Sequence, residues 1–298
     1  MKSRTVLLVA VFIIAGMVAN AQIKPTFNPA KGEKYTYRLT TDQKSLISAG
    51  GQEMAVSTYT EMLTEMNIKE KNNNEITLEF FYREIVMTVS NPMMNFKIDT
   101  KNKAGHTSDV EKNGANIFDC IVGKPLQLVI NPDGTIKSIT GYDAIIDDMK
   151  KITSALSAME QQMSNMFTQS FNEETMKTTF EQTYKIYPDK EIKVGDSWSI
   201  DYEYTIMGMS NNVKKTFTLK SVTNDIALLG LTTVSTMKGG AGMEGEMKGE
   251  QKGEIKLNIK TGMSVQSTSE DNSKGKFSAQ GMETSMDITS KATSVLVP

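Results

Sequence analysis

The spacing of apolar residues changes twice along this chain, and that change limits the folds open to it. From Tyr142 the apolar side chains recur three and four apart: Ile145, Ile146, Met149, Ile152, Leu156, Met159, Met163, Met166 and Phe167. This spacing predicts one buried stripe on a long helix. Asn172 then supplies an N-cap oxygen, and Glu173 and Glu174 stand in a first turn where the helix dipole favours acids. Met176, Phe180 and Tyr184 form the stripe of this second helix, and Pro188 follows its end.

On both sides of this region the period is two, the mark of half-buried strands. Tyr35, Tyr37, Leu39 and Thr41 alternate with polar residues, as do Ile76, Leu78, Phe80 and Tyr82. Ile85, Met87 and Val89 continue on the opposite parity, which predicts a bulge near Arg83. Leu126, Leu128 and Ile130 run into Asn131-Pro132-Asp133-Gly134, a turn in which proline presets one position and glycine accepts positive φ. Strands are expected again over 198–207, 213–222 and 226–237. Residues 239–253, rich in Gly, Glu and Lys, read as a mobile loop or hairpin tip. Strands then resume near Ile255 and run to Val297, broken at 270–275.

Two stretches repeat. KGEKYTY (31–37) and VGDSWSI (194–200) share the order glycine, acid, polar, aromatic, hydroxyl. Asn74–Leu78 matches Asn224–Leu228, and Lys97–Lys101 matches Lys256–Lys260, in the same order along the chain. The expected fold is mainly β, of the α+β class. Two related antiparallel β-rich halves, 22–141 and 188–298, are joined by a central helical pair at 142–187, with a curved sheet packed on the helices.

Residues 1–21 stand apart. Lys2 and Arg4 precede an apolar run from Val6 to Val18, too short for a membrane span. Ala19-Asn20-Ala21 fits a signal-peptidase site, so cleavage is expected after Ala21, leaving an exported chain that starts at Gln22. Lysine and arginine total 33 against 35 acids, a net charge of −2 with no basic block. That excludes the footprint of a nucleic-acid binder. Cys120 is the single cysteine, so no intrachain disulfide supports the fold.

KGEKYTY, GKPLQLVINPDGTIKSITGYDAI (123–145), VGDSWSI and IKTGMSVQST (259–268) occur in this order. In that, the chain resembles an uncharacterised family of exported bacterial proteins, a domain of unknown function in Gram-negative envelopes. The resemblance covers most of the mature chain. It implies location and architecture; its motifs are turns and strand starts, so it brings no catalytic residues.

The residues that could carry chemistry have plainer readings. His106 is the single histidine, in a polar stretch and with no G-x-S-x-G elbow in the chain, and reads as an exposed loop or strand residue. One His and one Cys cannot fill the usual zinc ligand sets. Cys120 lies between apolar neighbours and reads as a buried small hydrophobe. Asp271, Asn272 and Ser273 lack calcium-loop spacing. The 21 methionines are the unusual feature. Thioethers suit Cu(I), but no histidine accompanies Met207-Gly208-Met209 or Met243-x-x-x-Met247. Methionine also replaces leucine in cores, and its flexible chain makes adaptable walls for apolar ligands.

These observations point to a non-enzymatic envelope protein without cofactor or metal. It is expected in the periplasm or outside the cell, binding a lipid or other apolar or amphipathic ligand between sheet and helices. Met159, Met163, Met166 and Phe167 are the expected lining. A structural or protein-interaction module using sheet edges is the alternative, and an enzyme with a scattered acid-based site is the third reading.

Overall fold

The computed structural model describes residues 22–153, 161, 172–206, 208–240, 242–279 and 281–298. The leader at 1–21 and the expected lining residues Met159, Met163, Met166 and Phe167, together with Leu156, lie outside the described residues. The strands are β1 (Lys34–Ala49), β2 (Gln52–Lys71), β3 (Ile76–Ser90), β4 (Asn95–Asp99), β5 (Leu126–Ile130) and β6 (Ile136–Thr140). They continue as β7 (Ser197–Ile206), β8 (Met209–Thr223), β9 (Ile226–Lys238), β10 (Met243–Asn258), β11 (Ser264–Ala279) and β12 (Met282–Val297). Among the described residues the α-helices are α1 (Asp109–Asp119), α2 (Tyr142–Thr153) and α3 (Glu173–Tyr184).

All twelve strands form one antiparallel sheet, in the order β6-β5-β3-β2-β1-β12-β11-β10-β9-β8-β7, with β4 added to the far end of β3. The first and last strands lie side by side at its centre, from Thr36↔Val297 to Ala49↔Thr284. The sheet curls. From β3 to β8 is seven strand spacings, ~34 Å in a flat sheet at about 4.8 Å each. Yet both strands meet the last turns of α3. Phe180 packs edge-to-face on Phe80 of β3, with ring centroids 5.0 Å apart. Lys215 of β8 reaches the carbonyl of Gln182, two residues further along the helix, at 2.7 Å.

The sheet curls around α3 because its inner face is apolar at this end. Leu78, Leu128, Phe217, Leu219, Leu229 and Leu257 are at most 1% exposed there, each contributing ~1.5–3 kcal/mol by burial. The outer face carries charges in pairs, such as Arg83–Glu65 at 2.8 Å and Lys274–Asp287 at 2.6 Å. Exposed pairs of this kind add little stability, ~0–1 kcal/mol each.

Several expectations hold at residue level. In the β2–β3 register Leu63 faces Glu84 and Thr64 faces Tyr82, so Arg83 is the extra residue of a bulge. The Asn131–Gly134 turn closes with Gly134 N–H donating to Asn131 O at 2.8 Å. Asn172 caps α3, its side chain accepting from Thr175 N–H at 2.9 Å. On α2, Ile145 and Met149 are fully buried while Lys150 and Lys151 are exposed. The helices do not stack as one isolated unit: α2 lies beside α1, and α3 runs against β6.

Other expectations are corrected. Residues 239–253 are mostly strand: β10 begins at Met243 and pairs on both sides, with β9 and β11. The break expected at 270–275 is absent, because β11 runs unbroken between β10 and β12. Glycine and charge weaken a strand locally, but two flanking ladders supply its hydrogen bonds. Helix α1 has no counterpart in the periodicity reading. Its signal is Ser108-x-x-Glu111, a full capping box in which each side chain bonds the other's backbone N–H.

The doubled motif has a shared geometry. Gly32 N–H donates to Ile68 O and Ile68 N–H to Glu33 O, both at 2.9 Å. Gly195 N–H donates to Leu219 O at 2.8 Å and Leu219 N–H to Asp196 O at 3.0 Å. A bulge follows each partner, at Ile68/Glu70 and at Leu219/Ser221. The motif is therefore a clip that ties a strand start to the end of the next strand. Asn74 and Asn224 likewise precede β3 and β9. The third sequence match fails. Lys97–Asp99 pairs with the far end of β3, whereas Lys256–Asn258 pairs with the start of β9. The place of Leu257-Asn258 is matched instead by Ile130-Asn131, where Asn131 N–H donates to Thr135 O and Asn258 N–H to Met263 O, both at 2.9 Å.

Two glycines let the turns at this end touch other backbone. A Cβ on Gly134 (φ +84°) would lie 2.0 Å from Tyr184 O at the end of α3. A Cβ on Gly262 (φ +70°) would lie 2.0 Å from Thr26 O. Residues 22–30 cross here, bonding Ile192, Pro132 and Thr261 in turn.

Candidate functional site

Curling the sheet around α3 leaves space between them. A cavity of about 450 Å³ is lined by β1, β2, β3 and β8 to β12 on one side and by α3 and the residues after it on the other. Ligand pockets commonly measure ~300–1,000 Å³. Its apolar walls include Leu39, Met62, Phe80, Phe180, Leu231 and Met263. Phe180 and Tyr184 stack at 6.2 Å, and Tyr184 meets Phe27 edge-on at 5.5 Å, so the helix wall is aromatic.

The cavity also has a polar side. Lys215, Gln251, Ser269 and Ser264 line it. Thr233 is the cross-strand neighbour of both Lys215 and Gln251. Its hydroxyl donates to Gln251 Oε1 at 3.0 Å, and Gln251 Nε2 donates to Ser269 Oγ at 3.3 Å. A polar row thus crosses β8 to β11. The Ser264 Oγ is buried and has no hydrogen-bond partner. Among the described residues Lys215 is the single charged residue of the lining. Burial pushes its ammonium pKa down to about 8.

Lys215 also belongs to the seat of α3. The last carbonyls of a helix lack intrahelical partners. Here Glu181 O and Lys185 O accept from the Tyr202 hydroxyl at 3.2 and 2.9 Å, Gln182 O accepts from Lys215, and Ile186 O accepts from Trp198 Nε1 at 3.1 Å. Side chains of β7 and β8 therefore hold the helix end over the cavity. From β6, Ile136 N–H donates to Glu181 Oε1 at 3.0 Å. Tyr37 donates to Ser264 O at 2.8 Å and Tyr187 to Gly262 O at 2.7 Å, and burial raises both phenol pKa values.

The other candidates lie away from this cavity lining. His106 is not the exposed residue expected from its polar stretch. It is 9% exposed, and its Nε2 accepts the Asp99 backbone N–H at 2.9 Å, fixing the loop before α1. Cys120 is buried as expected, its thiol donates to Asn116 O at 3.4 Å, and burial raises its pKa. Asp271, Asn272 and Ser273 lie within β11. Among the described residues no three acidic, His or Cys side chains are grouped to hold a metal ion. No described helix is long and apolar enough to cross a membrane.

Somewhat more than half of the lining residues lie within a stretch that known sequences share. A family model, described as a family of unknown function (DUF6263), matches residues 73–264, more than half of the chain. The chain belongs to this family. The DUF6263 match takes in α3, the polar row as far as β10, and Lys215, and ends at the start of β11. No curated protein sequence matches the chain. Among solved structures it is similar to one titled for lipid–protein interactions in lipovitellin, at 11% identity and a TM-score of 0.46. That match covers 91% of this chain and 25% of the other, so the chain spans about a quarter of lipovitellin's length. It is also similar to an outer membrane channel from Pseudomonas putida F1, at 8% identity and a TM-score of 0.24, covering 90% and 96% of the two chains.

Sequence reasoning sought the lining in methionines of the helical region and did not find Lys215. A signal for it was present. Val213, Phe217 and Leu219 are the inward residues of β8, and Lys215 is the one charge on that parity.

Proposed function

We propose that this DUF6263 chain is an exported, non-enzymatic binding protein that holds an apolar or amphipathic small molecule between α3 and the curled sheet. The observation that carries this reading is the cavity itself. Small-molecule sites are concave and mostly apolar with a few polar groups, and this one, at about 450 Å³, is a cleft of that kind walled by aromatic and aliphatic side chains. Its walls come from eight strands and one helix, so a ligand there would also contribute to holding the curl.

The same reading gives the repeat a role. The two glycine–acid clips and the two Asn-containing turns support an origin of the sheet in two related halves, with the helical segment between them as the cover. The leader-like residues 1–21 support export with Gln22 as the first mature residue, to the periplasm or beyond.

The test is native mass spectrometry of gently purified residues 22–298, followed by titration with a fluorescent fatty-acid analogue. A co-purifying small molecule, or saturable binding in the micromolar range (about −8 kcal/mol) with a rise in Tm by mass action, is the expected result. Absence of saturable binding for every lipid class tried would overturn the reading in favour of a protein-interaction module.

A further inference from the structure

Resting on that cavity reading, we propose that Lys215 is the anchor for an anionic head group, so that the ligand is an amphipathic carboxylate of the fatty-acid kind. The head would lie against β8 and the polar row, and the tail against Leu39, Met62, Phe80 and Met263.

Three observations converge on this. Among the described residues Lys215 is the single charge in the lining, and no acidic residue accompanies it there. Among the described residues no carboxylate pairs with it: its bonded partner is the neutral carbonyl of Gln182 at 2.7 Å, and its other neighbour is the Tyr202 ring, 5.5 Å from centroid to Nζ. An ammonium has three hydrogens to donate, so donors remain after the helix carbonyl is served. Holding a half-buried cation without a counter-charge is costly, and a helix-capping role alone would be met by a neutral donor. The depressed pKa, caused by burial, agrees with a cation that lacks its counter-charge.

The neighbouring polar atoms suit a carboxylate too. Gln251 lines the cavity one strand beyond Thr233, the cross-strand neighbour of Lys215, and its Nε2 keeps a second hydrogen after bonding Ser269 Oγ. Ser264 Oγ, buried and unpartnered, offers a further donor elsewhere on the lining. The outer concavity of the sheet differs: Asp42, Lys44, Glu250, Lys252, Glu270 and Lys291 mix both signs there.

The experiment compares 11-(dansylamino)undecanoic acid with its methyl ester on residues 22–298 at neutral pH. The acid is expected to bind at least tenfold more tightly than the ester. In Lys215→Met and Lys215→Gln the preference for the acid over the ester should disappear, whatever the ester's own affinity in the variant. Saturable ester binding shows that a variant retains its cavity, and Tyr202 and Trp198 still hold the end of α3 in both. Lys215→Arg should restore part of the preference. Equal binding of acid and ester to the parent chain, or a preference that survives both neutral variants, overturns the role of Lys215 and leaves the cavity reading standing. Failure of both probes to bind the parent chain overturns the cavity reading and this inference with it.

Discussion

Replacing Ala292 by Phe asks whether the space under α3 is real. Ala292 lies on β12, lines the cavity, and faces Thr41 and Ser269 across the sheet. A phenyl group standing into the void would bury on the order of 100 Å² more apolar surface than the methyl, which at ~25 cal/mol per Å² is worth up to about 2.5 kcal/mol. Displaced water near Gln251 and Ser269 offsets part of this, so the expected change lies between none and about 2 kcal/mol of added stability. If the same side chains met in a filled core, the phenyl group would overpack it and cost about 1–3 kcal/mol. The two cases differ in sign. Phe also favours strands more than Ala does, so Ala55→Phe, at an exposed position of β2, serves as the reference. Urea unfolding can be followed by the single tryptophan, Trp198, which stacks on Phe217 at 5.5 Å and is bonded to Ile186 O. A loss of 1–3 kcal/mol relative to Ala55→Phe, on the scale of known overpacked cores, would refute the cavity. Retained stability with weakened binding of a fatty-acid probe is the result the structure leads us to expect.

Other outcomes follow from the same geometry. Met149→Ala removes a fully buried side chain from α2 and should cost about 2–5 kcal/mol, against about 0.5 kcal/mol or less for the exposed Lys150→Ala; equal urea midpoints would show α2 undocked. Gly134→Ala drives a Cβ into the Tyr184 carbonyl at positive φ, so it should destabilise by more than about 1 kcal/mol and loosen α3, read as faster hydrogen exchange at Phe180–Tyr184. Glu111 accepts backbone N–H bonds from Ser108, Lys97 and Thr107, which holds its pKa at about 2 instead of 4.5. A lowered carboxylate pKa stabilises the fold above its unfolded value and loses that contribution as pH falls towards 2. The difference in urea midpoint between the parent chain and Glu111→Gln should therefore narrow from about pH 4.5 downward, and a constant difference would contradict the assignment.

Much of the local structure was legible before any coordinates. Period two marked the strands, and the parity switch after Tyr82 located the Arg83 bulge, because a bulge inserts one residue and flips every side chain beyond it. Asn131–Gly134 and Asn172 announced themselves by chemistry confined to four residues. Helix α1 was missed because its stripe is short, although its capping box was readable. Residues 239–253 and 270–275 were misread because glycine and charge speak for loops locally, while two neighbouring strands decide otherwise. His106 looked exposed from its polar neighbours, yet it is buried and its Nε2 accepts the Asp99 backbone N–H.

By itself the sequence determined the strand-rich class, helical turns within 142–153 and 173–184, the Asn131–Gly134 turn, and the repeated glycine–acid motif. Each of these rests on residues close together in the chain. The tertiary structure alone decided that β1 and β12 pair, that the sheet curls until β3 and β8 meet the same helix end, and that Lys215 faces a cavity. These depend on contacts between residues as far apart as Thr36 and Val297. No local period or turn carries that information, because burial is a property of the closed surface and not of any segment that contributes to it.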